Sequence, residues 1–150
     1  APSHFSATPP QAAIQAYRSN FQPSQEFPKP HVILGVAVIC AESEEHADYL
    51  ASSMRLRWLQ MATGIEGRLP SPETPSRYEY SPEERAMIAD RDALLIKGTP
   101  QAVVARLKAL QAALEVDEFM IMTMVHDPVE RRRSYELLAE AWRQDDAAAQ

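Results

Sequence analysis

An α/β fold built on parallel strands is what this sequence predicts, and three observations carry the prediction. Short apolar runs at His31–Ala41, Ala93–Lys97 and Phe119–Val125 are too brief for independent helices and are bounded by polar residues. Longer segments with apolar residues at helical spacing separate them. Helix-start signals stand directly behind the runs: Glu42-Ser43, Gly98-Thr99-Pro100 and Asp127-Pro128. Strands that alternate with helices, each strand buried on both faces, describe a parallel sheet with right-handed crossovers.

Taken in order, residues 9–22 form a first helix, with Pro9 and Pro10 at its start and Ile14, Tyr17 and Phe21 on one stripe. A proline-punctuated connection, Gln22 to Pro30, leads into HVILGVAVICA, whose β-branched residues predict a strand buried on both faces. Ser43 caps a helix running to about Thr63, with Ala47, Leu50, Ala51, Met54, Trp58 and Met61 facing inward. Residues 64–80 hold two glycines and three prolines without periodicity, an irregular excursion of the kind that forms lids, binding loops or disordered segments. Ser81-Pro82-Glu83-Glu84 opens a short helix as cap, proline and glutamate. After the Ala93–Lys97 strand, the Gly98 turn enters a helix with Val103, Val104, Leu107, Leu110 and Leu114 inside. Phe119–Val125 is the last strand. Asp127-Pro128-Val129-Glu130 then repeats the capping grammar ahead of a helix with Val129, Leu137, Leu138, Ala141 and Trp142 inward. Pro2 to Phe5 has the character of the end of a fourth strand. A closed eight-fold barrel needs roughly 200 residues or more, so 150 residues supply about half of one.

Composition narrows the function. The length suits one domain, residues 1–150, and the 45% hydrophobic and 24% charged content is that of a globular protein. A net charge of -6 argues against nucleic-acid binding. The run Arg131-Arg132-Arg133 is flanked by Glu130 and Glu136 and reads as a solvated helix face rather than an anion site. The single Cys40 excludes an intrachain disulfide and fits a reducing, cytoplasmic compartment. The longest apolar run is too short to cross a bilayer, and APSHFSATPP is not a signal peptide, so no membrane partner is expected.

Four glycines cannot assemble a dinucleotide fingerprint or a phosphate loop. Cys40 lies inside a strand and reads as packing rather than as a nucleophile. His4, His31, His46 and His126 are scattered, so no metal site is expected. His126, at the carboxyl end of the last strand, has two readings: a hydrogen-bond donor or proton carrier, or a histidine bonding the adjacent helix terminus. Asp127 and Thr99 read as caps. The helix start behind Gly98 also offers free N–H groups to an anion.

Together, Ser3-His4-Phe5, YRSNFQPS (Tyr17 to Ser24), GVAVICAESEEHADYL, Ser81-Pro82-Glu83-Glu84-Arg85, Lys97-Gly98-Thr99-Pro100-Gln101 and MTMVHDPVERRRSYELLAEAW resemble, in order, the C-terminal part of bacterial luciferase-like, flavin-dependent monooxygenases. The resemblance implies the C-terminal half of a TIM (β/α)8 barrel. It also implies FMN as cofactor, reduced by a separate flavin reductase, and oxidation of a small organic substrate with O2 by an intact parent that is a homo-oligomer. It places Ser3, His4 and Phe5 beside the flavin, with Thr123 and His126 as further neighbours and the loop 64–80 at the substrate entrance. No residue is assigned as acid, base or nucleophile. The family's N-terminal half, with its main flavin-phosphate segment, has no counterpart here. The expectation is a piece of a longer protein rather than a natural truncation, inactive alone, with two open strand edges, an uncovered inner face and a tendency to self-associate. The competing readings are a non-catalytic flavin-binding or dimerising remnant of the same fold, and a small open-sheet domain with no flavin connection.

Overall fold

The computed structural model describes residues 10–148. Its elements follow the order α1 (Pro10–Asn20), β1 (Ile33–Cys40), α2 (Glu44–Ala62), a 3-10 turn (Pro75–Arg77), α3 (Pro82–Leu94), β2 (Ile96–Gly98), α4 (Pro100–Leu114), β3 (Glu118–Met122) and α5 (Pro128–Ala148). The proposed strand end at Pro2–Phe5 lies outside the described residues. The strands form a parallel sheet in the order β2-β1-β3. Consecutive βα units would place β2 in the middle. Instead β1 is central, and β2 is a three-residue strand on its far edge.

β1 is central because it is apolar on both pleats. Leu34, Val36 and Val38 are completely buried, each contributing about 1.5–3 kcal/mol of transfer free energy. With Val32 and Cys40 they pack against Ile14 of α1, Val103, Val104 and Leu107 of α4, and Leu138 of α5. The other pleat, Ile39 with Ala41 just beyond it, packs against Ala47, Leu50, Met54 and Trp58 of α2 and Ile88 of α3. Two helical layers therefore sandwich the carboxyl half of β1.

The last strand departs from expectation. It ends at Met122 rather than Val125, and only one of its faces is covered. Phe119 and Ile121 join the α4/α5 side, where the Phe119 ring meets Trp142 edge-on at 6.2 Å. Met120 and Met124 on the opposite side are 59% and 38% exposed. Register continues this face onto β1, where buried Gly35 pairs with Met120 and half-buried Ala37 with Met122.

β1 changes partners along its length: Ile33 to Ala37 pair with β3, whereas Val38 to Cys40 pair with β2. Where β1 and β3 part, α5 fills the opening with two hydroxyls. The Cys40 N–H donates to Ser134 Oγ at 2.8 Å, and the Thr123 N–H donates to the Tyr135 hydroxyl at 2.9 Å. The next N–H along β1, on Ala41, turns the other way and donates to the Gly98 carbonyl at 3.0 Å. At the opposite end, the Val32 N–H donates to Asp117 at 2.7 Å and the His31 ring meets Glu118 at 2.8 Å, closing the entry to the ladder.

The helix ends obey their sequence signals. Ser43 accepts from the His46 N–H, Ser81 and Glu84 form a complete capping box, and Thr99 accepts from the Ala102 N–H. Inward stripes overshoot at the ends, however: Met61 and Val129 are 52% and 63% exposed because their helices outrun the core they cover. Residues Ala93 and Leu94, expected in a strand, complete α3 instead, and Gly98 belongs to β2 rather than to the turn.

Gly98 has φ +142, and a Cβ there would lie 2.6 Å from Glu44 Oε1. Gly98→Ala is expected to cost about 1–3 kcal/mol through backbone strain and displacement of that carboxylate, read as a lower urea midpoint at unchanged slope. A variant as stable as the parent would contradict the geometry.

Candidate functional site

In open parallel sheets, ligands gather beyond the carboxyl ends of the strands, where helix N-termini expose N–H groups. This chain closes those N-termini itself. Glu44 Oε1 accepts from the Thr99 N–H at 3.0 Å, so the expected anion position ahead of α4 is taken by a side chain. Asp127 Oδ1 accepts from the N–H groups of Val129 and Glu130 at 2.7 and 3.1 Å, which establishes it as the cap of α5. The first turn of α2 carries Glu44 and Glu45. Phosphate has no free cradle at these three starts.

The bare face of the sheet offers a different site. A cavity of about 510 Å³ lies against Ala37 and Met124, walled by Met54, Trp58 and Met61 of α2 and by Met87, Leu94 and Leu95. Gly67 and Leu69 of the irregular excursion border it, with Arg57, Asp90 and Arg91 around the edge. The Arg57 guanidinium donates to the Ile65 carbonyl at 2.9 Å and so ties the excursion to α2. The lining is largely apolar and polarisable, with Arg57, Asp90 and Arg91 as its charged members, which suits a planar or flexible organic molecule.

Two polar cavities flank the sheet. One, of about 470 Å³, is lined by Cys40, Glu42, Ser43, His46, Glu130 and Arg133. His46 meets Glu130 at 3.1 Å and Arg133 meets Glu42 at 2.7 Å, so its charges are mutually occupied. Burial pushes the Cys40 thiol up to about 11 against the opposing influence of Arg133, leaving it protonated and inert near neutrality. The other, of about 750 Å³, lies between α2, the 3-10 turn and α3, beside Tyr49, Tyr78, Tyr80 and Arg55. There Arg55 bridges Asp48 at 2.7 Å and Asp92 at 2.8 Å, and Lys97 reaches Asp48 at 2.8 Å. Burial works against the Arg55 charge, but the two carboxylates outweigh it and raise its pKa.

The residues named from sequence are not gathered in one place. Ser3, His4 and Phe5 lie outside the described residues. Thr123 is buried, 4% exposed, on the same pleat as Phe119 and Ile121, and its hydroxyl finds no partner among the described residues. His126 is exposed and makes no hydrogen bond to another described residue; the helix terminus, which one of its two readings had it bonding, is bonded by Asp127. The excursion 64–80 does border a cavity. Sequence reading put Met54 and Met61 on an inward stripe but drew nothing from Met120, Met122 and Met124, which repeat with the period of one strand face. Among the described residues, no cluster of three His, Cys, Asp or Glu side chains could hold a metal, and no helix is long and apolar enough to cross a membrane.

No family model matches the chain. It is similar to the uncharacterised Bacillus subtilis proteins YvbT, 31% identical over 141 residues, and YwcH, 37% identical over 134 residues. A luciferase-like monooxygenase of Escherichia coli is 29% identical over 135 residues. These alignments cover 94%, 88% and 90% of this chain, but only 42%, 40% and 40% of the relatives. The crystal structure of apo-MsnO8 superposes with a TM-score of 0.84 at 30% identity, over 94% of this chain and 44% of that one. The chain is thus similar to a luciferase-like monooxygenase over nearly its whole length, and it spans about two fifths of the length of the relatives it matches. That proportion is consistent with the C-terminal portion the motifs resembled.

The hydrogen bond from Arg55, with Lys97 beside it, holds the Asp48 carboxyl down at about 2 against the ordinary 3.8. A depressed carboxylate contributes stability that is complete above its ordinary pKa and disappears as the pH falls through the native one. Because Asp48 is half-exposed and screened, Asp48→Asn is expected to cost no more than about 1 kcal/mol at pH 7. That difference fades between about pH 4 and pH 2 in paired urea titrations. A difference that grows on acidification would refute the assignment.

Proposed function

We propose that this chain is the C-terminal part of an FMN-dependent, luciferase-like monooxygenase that oxidises a small organic substrate with O2. The observation that carries the reading is the bare apolar face of β1 and β3. With α4 and α5 on one side and Met120 and Met124 59% and 38% exposed on the other, the pair would serve as a barrel wall with its methionine face inward. In the parent, further βα units would complete a (β/α)8 barrel around that face.

The fit to flavin is divided. The methionine-lined face can hold the flat apolar ring, and the excursion 64–80 can border the substrate entrance. The phosphate finds no free helix terminus behind any of the three strands, so its site belongs to parts of the parent beyond the described residues. Ser3, His4 and Phe5 are proposed as ring neighbours, with Thr123 and His126 as more distant ones. Bound FMN, reduced by a separate reductase, supplies the oxygen chemistry; this chain's residues exclude water from the ring and shape the entrance. A cytoplasmic homo-oligomer completes the proposal. The rival reading, a non-catalytic flavin-binding or dimerising module, draws on the same face and on a cavity lining without a paired acid and base.

FMN titration separates these readings. The 150-residue chain should leave flavin fluorescence unchanged, while a parent of the relatives' length should bind one FMN and turn over reduced flavin with O2. A parent that binds FMN without turnover supports the non-catalytic reading. A parent that ignores FMN removes the flavin proposal altogether.

A further inference from the structure

The cavity between α2, the 3-10 turn and α3 shares no lining residue with the methionine-lined one, and its walls come from those three consecutive elements and the residues joining them. α2 gives the core Ala47, Leu50, Ala51, Met54 and Trp58, and turns Asp48, Tyr49, Ser52 and Arg55 toward this cavity. Its volume of about 750 Å³ is that of a small-molecule site. Tyr49, Tyr78 and Tyr80 line it, the last two edge-on with ring centroids 4.8 Å apart, and buried Ile88 and Pro75 add apolar surface.

Its polar groups fall into two sets. Asp48, Asp92, Arg55 and Lys97 are paired with one another, two charges of each sign, and Glu45 and Arg85 add one of each. An ion therefore finds no net attraction. What is left over donates. The Tyr80 hydroxyl is buried without a hydrogen-bond partner among the described residues, and burial raises its pKa, which keeps the proton on. Arg55 donates from Nε to Asp92 and from Nη2 to Asp48, while its Nη1 has no acceptor among the described residues. A buried hydroxyl without a partner lowers stability, so its presence calls for an acceptor that the fold does not supply.

We propose that this cavity binds a small uncharged aromatic carbonyl compound, its ring among the three tyrosines and its oxygen accepting from the Tyr80 hydroxyl. Aromatic rings favour edge-on and offset contacts with one another, a gain that a saturated ring does not share. A carboxylate in the same place would lose its water while facing Asp48 and Asp92, so the neutral carbonyl binds better. No part of this site uses flavin.

The test titrates acetophenone into the 150-residue chain and follows amide chemical shifts. The shifts should gather at Tyr49, Tyr78, Tyr80 and Ala89 and saturate. Benzoate, with the ring but a charge, and cyclohexyl methyl ketone, with the carbonyl but no aromatic ring, should each bind about tenfold more weakly. Tyr80→Phe keeps the ring and removes the hydroxyl. Its acetophenone affinity should fall about tenfold, the usual worth of one hydrogen bond at a buried site. Its urea midpoint should stay level or rise, because the group removed has no partner in the fold. The same loss of affinity should recur in a protein of the relatives' length. The proposal is overturned if acetophenone does not bind, if the shifts gather at Ala37, Met61, Met87 and Met124 instead, or if either analogue binds as well. It is equally overturned if Tyr80→Phe lowers the urea midpoint or leaves affinity unchanged in either protein. FMN binding by the parent bears on none of these results, so failure here is distinguishable from failure of the proposed function.

Discussion

The partner change along β1 is the constraint on which the rest of this structure depends. A central parallel strand has N–H groups on both edges, and each must find an acceptor once water is excluded. β3 serves one edge as far as Ala37 and β2 serves the other from Val38 onward. The amides stranded where β1 and β3 diverge belong to Cys40 and Thr123, and the neighbouring hydroxyls of Ser134 and Tyr135 accept from them. Ser134 is 1% exposed, so an unsatisfied partner there costs about 1–3 kcal/mol. Two adjacent polar residues on α5 thereby hold the carboxyl end of the sheet open by about one side chain.

The placement of the cavity follows from that wedge. α5 lies across β1 and, with α4, occupies the face bearing Leu34, Val36 and Val38. The other face is left to α2 and α3, which reach only its carboxyl half, at Ile39 and Ala41. Between the edge of α2 and the exposed methionines of β3 there is room for an organic molecule, and the excursion 64–80 limits the opening. Function is thus proposed for the side of the sheet that folding alone does not fill. The polar ends of the strands, where chemistry is commonly placed, are occupied by Glu44, Asp127 and paired ions.

Much of this was legible in the sequence, and what was not has physical reasons. Caps at Ser43, Ser81, Thr99 and Asp127 depend on contacts three residues away, so local sequence suffices to find them. The β1 segment announces itself by apolar residues on both pleats. Strand order is a different matter, because pairing is non-local and nothing in Ile96–Gly98 says that it serves the far edge of β1. The exposed face of β3 was misread because methionine is as apolar as its buried neighbours, leaving no alternation to see. The same fact hid the cavity. His126 drew attention as a histidine at a strand end, but its neighbour Asp127 does the bonding there, and His126 faces solvent.

Native-state hydrogen exchange on the Cys40 and Thr123 amides tests the wedge most directly. Both should be protected to the level of the β1 ladder itself. In Tyr135→Phe, the Thr123 amide alone should lose protection, and in Ser134→Ala the Cys40 amide should exchange with it unshared. Fast exchange of these two amides in the unaltered protein, or protection indifferent to both substitutions, would contradict the claim that α5 hydroxyls hold β1 and β3 apart.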